Sequence, residues 1–180
     1  MASLPPASIW WLGLAAPLPV AWVAWTTARP VVSAVGVAVG TLPLWVYHHA
    51  WVASVSLAGV VPLVVYLGLW MAATVAVISC ARRAAASLGA AIVVPTAWVG
   101  LEYARGELAF GGYAWFLAGH SAVEFLPIAS AASIGGVYLV SWLIVAGSGV
   151  VIARRYGSIP AGRVGLAISL VLAALLIASV

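Results

Sequence analysis

All three carboxylates of this chain, Glu102, Glu107 and Glu124, fall in the single stretch 102–124, and His120 lies among them. Glu102 and Arg105 stand three apart, so on a helix they share a face. Such a pair can close on itself at the end of a membrane span. Alternatively, the planar fork of Arg105 can meet the oxygens of a lipid phosphate. The run Gly111-Gly112-Tyr113-Ala114-Trp115-Phe116 joins two permissive glycines to three aromatics, which suits either a re-entrant turn or an aromatic-anchored loop. His120 and Glu124, four apart, could serve as a base with its orienter or as two metal ligands. Two ligands fall short of the three or four that zinc needs. His48 and His49 are adjacent and diverge by about 100° on a helix, which reads as a polar helix end. Cys80 is the one cysteine, so no internal disulfide or multi-cysteine metal site is available. Its neighbours Arg82 and Arg83 favour a thiolate, but its place in an apolar run reads as a small core residue. No Gly-x-Ser-x-Gly elbow, phosphate loop or Cys-x-x-Cys occurs. No nucleophile, base and orienter come together, so no catalytic residue, cofactor or metal set is assigned. Glu102, Arg105, Tyr113, Trp115, His120 and Glu124 remain as the residues that would meet a lipid.

The elements that hold these residues follow from composition. Of 180 residues, 66% are apolar and 6% charged; all seven basic residues are arginine, and Lys, Asp, Asn and Gln are absent. A water-soluble surface needs roughly 25–35% charged side chains, which excludes a soluble globular domain. Disorder is excluded by the high hydropathy. The arginines are too few and too dispersed to track a phosphate backbone, so no nucleic-acid partner is expected. The N-terminal MASLPPAS has no basic residue ahead of the apolar run and does not read as a secretory signal. A span needs about 20 apolar residues. Six such runs are present, Ile9–Ala28, Val31–Trp51, Leu57–Ala81, Ala84–Tyr103, Leu126–Ala153 and Ala161–Val180. They lack the alternation of a membrane β-barrel. The expected fold is an all-α integral membrane protein, one polytopic bundle of about six helices forming a single domain over residues 1–180.

Arginines order the topology. Arg29 lies between the first two runs, Arg82 and Arg83 between the third and fourth, and Arg154, Arg155 and Arg163 between the last two. The alternate junctions are neutral or acidic. By the positive-inside rule the basic junctions face the cytoplasm, which puts both termini and the 102–125 connection outside. Trp10 and Trp11 are expected at the outer interface, Trp22 and Trp25 at the inner one. Gly36, Gly40, Gly135, Gly136, Gly147 and Gly149 are expected to let helices approach closely rather than to act as hinges. Pro43, Pro62 and Pro95 fall inside or beside spans, where neighbouring helices can satisfy the freed carbonyls.

Three stretches carry a family likeness. They are Pro5-Pro6…Trp10-Trp11-Leu12…Pro17-Leu18, then Leu44-Trp45-Val46-Tyr47-His48-His49 with Pro62-Leu63, and then Trp98…Glu102-Tyr103-Ala104-Arg105-Gly106, Gly112-Tyr113-Ala114-Trp115…Gly119-His120-Ser121 and Gly135-Gly136-Val137-Tyr138…Ser141. The sequence resembles the membrane portion of bacterial apolipoprotein N-acyltransferase, in its Glu-x-x-Arg-Gly to Gly-Val-Tyr stretch above all. Ala114 stands where that family usually has proline. The resemblance implies an enzyme of the bacterial inner membrane. It moves a phospholipid acyl chain, through a cysteine thioester, to the amino group of a lipoprotein's N-terminal diacylglyceryl-cysteine. It also implies that a Glu-Lys-Cys triad in a nitrilase-like domain after the seventh span does the chemistry. These 180 residues contain no lysine, and Cys80 does not fit the nucleophile. The six runs correspond to the family's spans two to seven. The expectation is therefore a truncated or split membrane scaffold, inactive alone. Its partners would be membrane phospholipid, a lipoprotein substrate or a separate hydrolase-domain chain. The competing expectation is a non-catalytic lipid-binding or assembly subunit.

Overall fold

The computed structural model describes residues 10–84 and 89–156. Helices and turns make up this part, with no strand among the described residues. Helix α1 (Trp10–Ala15) runs into α2 (Pro17–Thr26) across a one-residue break. Proline opens α2 and also α3 (Pro30–His48), where a missing N–H costs nothing because the first turn has no acceptor for it. Helix α4 (Leu57–Ala84) ends on Arg82 and Arg83, which suit the negative end of the helix dipole. Helix α5 (Ala90–Tyr103) continues as a π-helical turn, Ala104–Leu108. A short α6 (Leu126–Ala129) precedes α7 (Ala132–Tyr156).

Three of these helices, α3, α4 and α7, have the length and apolarity of a membrane span, at 19, 28 and 25 residues. The first expected span appears as the shorter apolar run Trp11–Thr26. The fourth appears as the 14 residues of α5, about 21 Å long against a hydrocarbon core of about 30 Å. The sixth, Ala161–Val180, lies outside the described residues. Pro43, Pro62 and Pro95 all sit inside helices.

Helix α3 packs on α4 and α5 on α7, while α2 touches both α4 and α7. Small and β-branched residues form the centre, with Ala21, Ala24, Val75, Ile78, Val94, Val145 and Ile152 buried. The Ser79 hydroxyl lies 2.8 Å from the Ala24 carbonyl and 2.7 Å from its own helix's Val75 carbonyl, tying α4 to α2. At Gly149 the backbones of α7 and α5 come so close that a Cβ would sit 2.6 Å from the Ala90 carbonyl oxygen. That is the close approach expected of small residues in membrane helices.

Other expectations for small and aromatic residues fail. Gly36 and Gly40 are exposed, with no atom within 4 Å of a Cβ built there, so they pack against no helix of the described chain. Gly147 is equally open. Gly135 and Gly136 break α7 rather than pack it: Gly136 has φ +63°, which an L side chain rarely adopts, and the helix kinks there. Trp25 is buried among the core residues and is not an interfacial anchor. Its carbonyl accepts a hydrogen bond from the Arg82 guanidinium, whose other arm reaches Thr27 O at 3.3 Å. This arginine thus links the end of α4 to the α2–α3 junction that carries Arg29. Trp22 packs against Tyr156 with the rings tilted at 58° and their centroids 5.7 Å apart, next to Arg154 and Arg155. The basic junctions therefore gather at one end of the bundle.

Ser148 supplies a test of this packing. It is 3% exposed and its hydroxyl has no partner. An unsatisfied buried hydroxyl costs more than the methyl that could replace it. Ser148→Ala should raise stability by about 1 kcal/mol, read as a higher melting temperature in detergent micelles. A lower melting temperature would mean that the hydroxyl has a partner after all.

Candidate functional site

At the end opposite the basic junctions, the chain between α5 and α6 folds back over the helix ends. The π turn begins this path. Its i→i+5 winding sets Arg105 at a different angle to Glu102 than a plain α-helix would, although both side chains border one cavity. The ion pair, one of the two readings of this spacing, does not form; among the described residues no carboxylate oxygen lies within 4.0 Å of the guanidinium. Each side chain instead holds the connection. Glu102 Oε1 accepts hydrogen bonds from Trp98 Nε1 at 3.0 Å and from the Ala118 backbone N–H at 2.8 Å. Arg105 Nη2 donates to the Trp115 carbonyl at 3.0 Å.

The two residues are 7% and 4% exposed, and each keeps one polar atom without a partner: Glu102 Oε2 and Arg105 Nη1. Burial lowers the Arg105 pKa, and the nearby Glu102 carboxylate is the largest influence opposing it.

The 111–116 run, read as either a re-entrant turn or an aromatic-anchored loop, forms a tight turn in which glycine supplies the positive φ at two positions. Gly111 and Gly112 have φ of +81° and +92°, and Phe110 and Phe116 also adopt positive φ. The Tyr113 N–H closes the turn on the Arg105 carbonyl at 2.8 Å. Tyr113 OH then meets His49 Nε2 at 2.6 Å, while His49 Nδ1 lies 2.9 Å from the Trp45 carbonyl. His49 is fully buried. It is the polar end of α3, as its neighbour suggested, but it is also the peg on which the loop hangs. Desolvation raises the Tyr113 pKa, against the influence of Arg105. Phe116 packs on His49 at 5.1 Å and edge-on to Trp45 at 6.3 Å. Trp115 is half-exposed and stacks on Trp51 at 6.1 Å.

His120 and Glu124 do not come together as base and orienter. Both are exposed and no hydrogen bond joins them, because the chain between them is 3₁₀ helix and turn rather than α-helix. Partial desolvation holds the His120 pKa below the usual histidine value; Glu102 pulls the other way and Arg105 reinforces the lowering. Glu107 accepts a hydrogen bond from Tyr138 OH at 2.6 Å, which fastens the π turn to α7. Gly119 N–H donates to Ser141 Oγ at 2.8 Å and fastens the later part of the loop to the same helix. Cys80 is exposed on α4, away from this end.

Beneath the loop lies a cavity of about 320 Å³. Its walls come from α1 and α2 (Gly13, Val20), the end of α3 (Leu44, Trp45), the middle of α4 (Trp70, Met71) and the loop (Phe116, Leu117). Trp70 lies about 20 Å along α4 from its loop-side end. The cavity thus reaches from the loop toward the middle of the bundle. It is mostly apolar, with Thr41 and Thr74 spending their hydroxyls on carbonyls of their own helices, and its polar end is the roof, where Glu102, Arg105, His48 and Ser121 line it. Of the six residues singled out from the sequence, Glu102 and Arg105 face the cavity. Tyr113 and Trp115 hold the roof, and His120 and Glu124 lie outside. Sequence reasoning missed His49, Trp98 and Phe116. The signal available for Trp98 was its i, i+4 spacing to Glu102, which places an indole N–H beside the carboxylate.

Neither a curated protein nor a solved structure matches the chain. A family model does, and it covers the loop and the helices just described except the end of α7: residues 1–150 match the apolipoprotein N-acyltransferase N-terminal domain. This membrane protein, with its Glu-x-x-Arg-Gly turn roofing an apolar cavity, belongs to that family.

Proposed function

We propose that this chain is the membrane scaffold of an apolipoprotein N-acyltransferase, admitting a phospholipid acyl chain at the outer leaflet of the bacterial inner membrane. The cavity carries this reading. It is apolar over most of its depth and most polar at the roof, and no cysteine lines it. The end that gathers the arginines is the cytoplasmic one by the positive-inside rule. The cavity roof then faces the extracytoplasmic side, where Arg105, Tyr113 and Trp115 flank the path of the lipid and His120 stays outside it. Acyl transfer itself needs the Glu-Lys-Cys triad that the family resemblance implies. These 180 residues hold no lysine, and their one cysteine lies on another helix at the far end. The chemistry belongs to a hydrolase domain contributed by further chain or by a separate subunit.

The experiment is reconstitution with a phospholipid and a synthetic diacylglyceryl-cysteine peptide. The 180 residues alone should give no N-acyl peptide, and adding a domain that carries Glu, Lys and Cys should produce it. Turnover by the 180 residues alone would overturn the scaffold reading. Lipid binding without transfer in the presence of a competent domain would favour a non-catalytic lipid-binding or assembly subunit instead.

A further inference from the structure

Charge is segregated along this chain. All three carboxylate side chains lie between residues 102 and 124, at the loop end of the bundle, and six of the seven arginines lie outside that stretch. Arg29, Arg82, Arg83, Arg154 and Arg155 gather at the opposite end; Arg163 lies outside the described residues. Arg82 is spent on the fold, through its hydrogen bonds to the Trp25 and Thr27 carbonyls. The other four are exposed, and among the described residues no hydrogen bond or ion pair holds their guanidinium groups. The sequence has no further side-chain carboxylate to neutralise them.

These four fall in two pairs, both next to the end of α2. Arg29 and Arg83 adjoin the contact at which Arg82 reaches Thr27 O. Arg154 and Arg155 precede Tyr156, whose ring packs against Trp22 of α2. The Arg155 guanidinium carbon lies 5.7 Å from the Tyr156 ring centroid, within cation–π reach. An indole and a phenol at the ends of apolar helices mark the level of lipid head groups. The membrane-length helices α4 and α7 both end at this level.

Chemistry narrows the partner. The planar fork of arginine takes two phosphate oxygens at once, and helices that end in a bilayer bring phospholipid phosphates to the patch. A choline or ethanolamine head carries an ammonium beside its phosphate. At this end the ammonium finds no carboxylate and meets guanidinium groups instead. A phosphodiester esterified to a neutral alcohol brings negative charge alone. Basic clusters beside membrane helices draw anionic lipid at about fivefold in affinity per arginine.

We propose that the arginine end is a binding surface for anionic phospholipid, whose phosphodiester is held by Arg154 and Arg155 beside the Trp22–Tyr156 pair and by Arg29 and Arg83 at the α2–α3 junction. The surface needs neither the cavity nor acyl transfer, so its outcome is independent of the scaffold reading.

The test is equilibrium binding to the purified full chain in a neutral detergent, read as lipid-bound species by native mass spectrometry. Dioleoylphosphatidylglycerol should bind about tenfold or more tightly than dioleoylphosphatidylcholine, which has the same acyl chains. The preference should shrink as salt is raised, because screening weakens exposed charge. Arg154→Gln with Arg155→Gln, and separately Arg29→Gln with Arg83→Gln, should each cut the preference about fivefold or more, while Ser148→Ala keeps it. These exposed side chains hold no contact among the described residues beyond that of Arg155 on Tyr156, so the lipid-free melting temperature should stay near that of the parent. Should a double variant fail to fold, the two lipids and the salt series on the unaltered chain decide alone. Equal affinity for the two lipids would overturn the proposal, as would a preference that neither double variant reduces. Displacement of the bound lipid by an equal concentration of glycerol 3-phosphate would also overturn it, in favour of a free phosphate ester.

Discussion

Glu102→Ala should destabilise the folded chain by about 2–6 kcal/mol, the cost of leaving two buried donors without their acceptor. The carboxylate does three things at once. It accepts the Trp98 indole N–H and the Ala118 amide, and it is the nearest negative charge opposing the desolvation of Arg105. Alanine leaves two buried donors without an acceptor, at about 1–3 kcal/mol each. It also leaves the guanidinium with the Trp115 carbonyl as its one hydrogen-bond partner. Glu102→Gln keeps an oxygen for both donors and should lose about half as much. Reversible unfolding in mixed micelles reads the two variants against the parent. If both lose less than about 1 kcal/mol, the loop is held by Tyr113 and Gly119, not by the carboxylate.

Gly112→Ala is expected to be nearly as damaging, by a different route. At φ +92° and ψ +135° an L residue carries strain of about 1–3 kcal/mol. Its Cβ would also overlap the Gly106 carbonyl oxygen, a backbone atom that no rotamer change can move aside. The turn must open, and the Tyr113 N–H bond to Arg105 O and the Tyr113–His49 contact open with it. We expect a total loss of about 2–4 kcal/mol, together with faster hydrogen exchange at the Tyr113 amide. Gly111→Ala is the comparison. It shares the positive φ, at +81°, but its Cβ would meet open space, so it should cost only the strain, about 1 kcal/mol at the low end of that range. Equal losses at the two glycines would mean that the overlap with Gly106 plays no part.

Several features were legible in the residues. The all-helical membrane class followed from the scarcity of charge, because a chain that is 6% charged cannot cover itself with a wettable surface. The common end of Arg29, Arg82, Arg83, Arg154 and Arg155 followed from their spacing between apolar runs, and the structure gathers them there through Arg82 and the Trp22–Tyr156 contact. The concentration of acids between 102 and 124 pointed to the end of the bundle where the cavity lies. The likeness to the N-acyltransferase membrane domain rested on short motifs, and the family match covers all of them.

Pairing and packing were not legible. Spacing put Glu102 and Arg105 on one face, and both do border one cavity, but no bond joins them across the π turn. In that turn neither Gly106, beside the Tyr138 hydroxyl, nor Gly112, beside the Gly106 carbonyl, has room for a Cβ. His49 gave no sign that it would bond a tyrosine 64 residues away. Gly36 and Gly40 had the small-xxx-small pattern without a helix against them, while Gly135 and Gly136 broke a helix that they were expected to pack. Composition and periodicity report on the solvent a segment prefers, a property summed along the chain and robust to any one contact. Which glycine meets a neighbour, and which buried oxygen finds its donor, depends on distances of a few tenths of an ångström between segments far apart in sequence. Those distances exist only once the helices have packed.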